Sequence, residues 1–135
     1  MTNETISFFV SGVPAPEGSM NSYGRGRMVP TNYKKLKPWR EAIAEGFRTA
    51  YPDYINGVVH PQFSPVKITM VFYLPKAKSC KLKEPTMKRA DLDKLERAVN
   101  DSLTNLAWFD DCQVVEINSK KLFGTPGVQI TIEGL

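Results

Sequence analysis

At 135 residues, with 41% apolar and 24% charged side chains, the chain has the size and composition of one folded domain spanning residues 1–135, which excludes a largely disordered protein. No apolar run approaches the roughly 18 residues of a membrane helix and no secretory leader opens the chain, so the expectation is a cytoplasmic protein with no membrane partner. Net charge is +4, and the single histidine, His60, and the two separated cysteines, Cys80 and Cys112, exclude a Cys/His zinc site and leave little for nucleophilic catalysis through a histidine.

In chain order, Ile6 to Val10 is a short apolar and β-branched run bounded by Gly12 and Pro14, a first strand. From Pro14 to Pro38 the composition turns to Pro, Gly, Ser, Asn and Tyr, with Gly24-Arg25-Gly26-Arg27 at its centre, and reads as a long basic loop suited to nucleic acid or simply solvated. With Pro38 in a first helical turn, Trp39, Ile43, Phe47 and Ala50 recur at helical spacing up to Tyr51 and Pro52. Val66 to Leu74 alternates as a strand, Pro75 to Ala90 is a second basic loop, and Leu92, Leu95, Val99, Leu103 and Leu106 mark a helix from about Asp91 to Leu106. A turn through Trp108 to Asp111 leads into a strand from Val114 toward Leu122, and Val128 to Ile132 closes the chain as a last strand. The order β-α-β-α-β-β predicts an α+β fold, with two main helices packed on one mixed sheet.

Charge is segregated along this frame. Met20 to Arg40 holds six basic residues and no acid, whereas Ala90 to Glu116 holds seven acids against Lys94 and Arg97. A basic chain attracts polyanions, and a carboxylate cluster inside it repels them unless a cation intervenes. Asp91 and Asp93 flank Leu92 at a helix start, so the leucine can enter the core while both carboxylates stay at the open end. If the chain turns back over that start, Asp110 or Asp111 can join them, and a few carboxylates with phosphate oxygens and water suffice for Mg²⁺. The plain alternative is that Asp91 and Asp93 cap the helix, for about 1 kcal/mol, and that Asp110 and Asp111 form an ordinary turn.

The series Arg89-Ala90-Asp91-Leu92-Asp93-Lys94-Leu95, Asp101-Ser102-Leu103 and Trp108-Phe109-Asp110-Asp111-Cys112-Gln113-Val114-Val115 resembles the DLDNL, DAL and WxDDxQVV pattern of the RusA family of Holliday junction resolvases. The resemblance implies a RusA-like fold and a homodimer that binds branched DNA at four-way junctions and nicks two opposed strands symmetrically with Mg²⁺ or Mn²⁺. It implies Asp91, Asp93 and Asp111 as the catalytic, metal-binding acids, with Asp110 as an accessory neighbour. Phage or prophage origin, in a bacterial host, is common in the family.

Two positions depart from the pattern. Where the family has Asn and a catalytic Lys, this chain has Lys94 and Arg97. Arg97, one turn from Asp93, can offer a cation but not a proton near neutral pH, so it keeps the electrostatic part of the role or Lys94 substitutes. Arg25, Arg27, Lys34, Lys35, Lys88, Arg89, Lys120 and Lys121 are the candidate DNA contacts, with a solvated basic face as the plain alternative for Lys88, Arg89, Lys120 and Lys121 and a solvated loop for the others. Alternative functions are a nuclease preferring flaps or forks, a catalytically inactive branched-DNA-binding protein, or a general nucleic-acid-binding module.

Overall fold

A computed structural model describes residues 5–17, 20–22, 28–30, 33–52, 59–60, 63–86 and 90–135. The first strand, β1 (Thr5–Ser11), buries Ile6, Phe8 and Val10 and exposes the residues between them. Two three-residue strands, β2 (Met20–Ser22) and β3 (Met28–Pro30), pair antiparallel within what the sequence suggests is a featureless loop. The GRGR centre of that loop lies outside the described residues.

Helix α1 (Tyr33–Ala50) begins earlier than the sequence suggests, and Pro38 sits in its second turn. Pro38 withholds the N–H that would bond the Lys34 carbonyl, but Lys34 is exposed and that carbonyl can turn to water. The extra turn places Leu36, 1% exposed, in the core below Trp39, Ile43 and Phe47, and that burial offsets the missing bond. Gly46 lets α1 approach the sheet, since a Cβ there would stand 2.9 Å from Val10 Cγ2.

Strand β4 (Val66–Leu74) alternates as its composition requires, with Val66, Ile68, Met70 and Phe72 fully buried. Helix α2 (Leu92–Leu103) turns Leu95, Ala98, Val99 and Leu103 into the same core. It ends one turn short of the predicted Leu106 because Thr104 turns extended, φ −61° and ψ 133°, and Asn105 follows in a left-handed conformation, φ 70°, which asparagine tolerates better than most residues. Leu106 still packs on the core, which is why apolar spacing alone overshoots the boundary. After a short 3-10 turn (Asp111–Gln113) come β5 (Val114–Phe123) and β6 (Gly127–Gly134).

One four-stranded sheet results, in the order β1-β6-β4-β5. β6 pairs antiparallel with both β1 and β4, while β4 and β5 run parallel, with α2 in the connection between them. The buried faces of α1 and α2 share one cluster with the inward residues of the sheet, so both helices cover the same face. This is the mixed-sheet α+β fold expected from the sequence. Among the described residues no helix is long and apolar enough to cross a membrane.

Candidate functional site

The start of α2 holds the first acid pair. Asp91 occupies the N-cap position with extended backbone, φ −65° and ψ 136°, yet its side chain makes no capping bond. The capping explanation for Asp91 therefore fails: its carboxylate is exposed and, among the described residues, meets only Lys94, Oδ2 to Nζ 3.8 Å. Asp93, in the first turn and exposed, has no side-chain partner among the described residues. Lys121 reaches this end from β5 and donates to the Ala90 carbonyl at 3.0 Å. The loop after β1 is tied here too, because the Glu17 N–H donates to the Lys94 carbonyl at 3.0 Å.

The second acid pair is at the other end of the helix. Thr104, the C-cap residue of α2, sets its hydroxyl between the Asn100 carbonyl, 2.8 Å away, and Asp111 Oδ1. The Trp108 indole N–H donates to the same Oδ1 at 3.1 Å, so Oδ2 of exposed Asp111 has no partner among the described residues. Twelve helical residues separate the two ends, about 18 Å at 1.5 Å per residue. The condition on which the acids could meet within one copy, a chain turning back over the helix start, is not met: Asp111 stays at the Thr104 C-cap, away from Asp91 and Asp93. Among the described residues no three His, Cys, Asp or Glu side chains are grouped to hold one ion.

What steadies the second pair is Gln113, which belongs to the sequence motif but has no role assigned by it. Gln113 is buried, its carbonyl oxygen accepts from the Phe109 and Asp110 N–H groups, each at 2.9 Å, and its amide donates to the His60 and Ser64 carbonyls at 3.2 and 3.0 Å. An amide has two donors and two acceptor positions, and all four are used. Asp110 completes a capping box with Gln113 and accepts from the Cys112 N–H at 3.0 Å. Those bonds hold the Asp110 carboxyl below its ordinary range, and Asp110 in turn pushes the Cys112 thiol up. The Asp-x-x-Gln spacing is itself a capping-box signal, so this element was within reach of the sequence.

Between the two ends, Asp101 is pushed above the usual carboxylate range by burial, which Arg40 opposes, Asp111 reinforces and Arg97 opposes. Arg97 is exposed. The candidate DNA contacts divide. Lys34 and Lys35 are exposed in the first turn of α1 and line a groove that ends at Ala90, beside Asp91. Lys120 and Lys121 pair with Val71 and Phe72 and therefore point to opposite sides of the sheet: Lys121 toward α2, Lys120 away from it. Arg25, Arg27, Lys88 and Arg89 lie outside the described residues. His60 is fully buried, with its N–H on the Ala107 carbonyl at 3.0 Å, and both cysteines are free thiols.

Comparison with known proteins bears on residues 13–133, which match the family model described as Endodeoxyribonuclease RusA. A search of curated proteins finds no match.

Proposed function

The chain belongs to the RusA endodeoxyribonuclease family, and from that premise we propose that it resolves four-way DNA junctions, as a homodimer, by paired Mg²⁺-dependent hydrolysis. The observation that carries the reading is the exposed acid pair at the start of α2, Asp91 with its 3.8 Å contact to Lys94 and Asp93 with no partner among the described residues. Asp91 makes no side-chain capping bond, Asp93 meets no cation among the described residues, and both carboxylates are exposed, so their oxygens are open to a ligand. Their all-oxygen donor set suits a hard cation that keeps part of its water. Asp91 and Asp93 would hold that ion from one copy, and Asp111, through its open Oδ2, would complete the set from a second copy.

When bound, Mg²⁺ supplies an activated water and neutralises charge developing on the phosphate and the leaving oxygen. The protein's own groups do the rest. Lys121, fixed on the Ala90 carbonyl, and Lys34 and Lys35 draw the phosphate backbone to the acid pair. Arg97 remains charged near neutral pH and so contributes attraction without proton transfer, and Lys94 is held to Asp91. A two-fold dimer meeting a near two-fold junction accounts for symmetric nicks.

The test is cleavage of a labelled synthetic four-way junction in Mg²⁺, Mn²⁺, Ca²⁺ or EDTA, with linear duplex and a flap alongside. Paired nicks that require Mg²⁺ or Mn²⁺ and fall at least about 100-fold in Asp93→Asn, about 2.7 kcal/mol of barrier, are the expected result. Junction binding without nicking under any ion favours the inactive binder, a faster flap reaction favours the flap nuclease, and equal cutting of linear DNA sinks junction specificity.

A further inference from the structure

A groove of about 740 Å³ lies between the loop after β1, the first turns of α1 and Ala90, within the roughly 300–1,000 Å³ range of small-molecule sites. Its walls are apolar, chiefly Pro14, Pro16, Pro38 and Trp39, and Lys34 and Lys35 stand exposed at its rim; no Asp or Glu is among its described lining residues. We infer that this groove is a nucleobase subsite, taking one unstacked base of the strand whose phosphate lies at Asp91 and Asp93, with Lys34 and Lys35 on the phosphates of that nucleotide.

The inference rests on the junction-nuclease reading and on three further observations. The groove is joined covalently to the acid pair, since Ala90 lines it and Asp91 follows, with Cα atoms about 3.8 Å apart across the peptide. Its loop wall is pinned at both ends: the Gly12 N–H donates to the Pro126 carbonyl at 3.1 Å, and the Glu17 N–H to the Lys94 carbonyl at 3.0 Å. Gly12, at φ 132°, brings that loop onto the Trp39 ring, where an added Cβ would stand 3.3 Å from Cζ3. The third observation is the match of chemistry. A nucleotide is flat and apolar on its base faces and anionic at its phosphate, as this groove is apolar on its walls and cationic at its rim. Trp39 also keeps an indole N–H without a partner among the described residues. Base pairs at an open branch point lack a stacking neighbour on one side, so extrusion costs less there than within a continuous duplex.

An abasic scan through the branch point tests this without any protein variant. Binding in Ca²⁺ of junctions lacking one base at a time is expected to weaken about tenfold at one fixed offset from the cleaved phosphate and to stay level elsewhere. The Val13→Glu variant, altered at a groove residue that is 60% exposed, should start about tenfold weaker on the intact junction and lose nothing more at that offset. Its thermal unfolding, unchanged from wild type, guards against misfolding. Level affinity at every abasic position, or an additive loss in Val13→Glu, overturns the subsite while junction cleavage stands. Absence of any junction binding or cutting instead overturns the nuclease reading, and the subsite with it.

Discussion

At the scale of single residues, Gln113 shows how a buried polar group organises an acid-bearing turn. The four side-chain hydrogen bonds that it makes among the described residues all end on backbone groups, two in the Phe109–Asp110 turn and two in the connector before β4. Gln113→Leu keeps the volume and removes every bond. Each orphaned buried group costs about 1–3 kcal/mol, and water reaches some of them, so urea unfolding should show a loss of about 3 kcal/mol; a loss below about 1 kcal/mol would mean that the turn is held by other contacts. Half of this arrangement was legible, since Asp110 and Gln113 stand at capping-box spacing. The partners at His60 and Ser64 were not, because nothing in local spacing tells which distant carbonyls a buried amide will meet. The acids divide in the same way. Asp91 and Asp93 were legible as a pair because helical period places them, whereas the position of Asp111 depends on where the chain goes after α2, and it stays at the helix C-terminus.

At the scale of elements, β5 separates two lysines that adjoin in sequence. Pleating sends Lys121 beneath the start of α2 and Lys120 to the opposite side of the sheet. Lys121→Ala should therefore lower junction cleavage about tenfold, about 1.4 kcal/mol of barrier, while Lys120→Ala leaves the rate unchanged. Single-turnover rates on the same junction check this, and equal losses in both variants would mean that the lysines act through general attraction alone. The elements themselves were largely foreseen: β4 and β6 by alternation, the body of each helix by its buried stripe. The missed boundaries share one physical cause. Leu36 draws an extra turn of α1 into the core in spite of Pro38, and Leu106 packs on the core after α2 has ended; burial, not helical continuity, governs apolar spacing at both places.

At the scale of the whole molecule, about 18 Å of helix between the acid pairs turns the dimer from an accessory into a requirement of the proposed site. Asp93→Asn and Asp111→Asn should each be inactive, and mixing the two should restore nicking of a single strand. In a mixed dimer one site gathers both substitutions and the other none. A mixture that stays inactive would place each complete site within one copy. The sheet order carries a further consequence, for biosynthesis. β6 leaves the ribosome after every other described element, yet it lies between β1 and β4 and, among the described residues, is the only sheet neighbour of β1. While it is still being translated, β1 has no partner to zip against and the core no middle strand, and such long-range pairing is slow to form. A nascent or truncated chain lacking β6 therefore cannot close this sheet, and the fold, with any activity that depends on it, waits on the last strand.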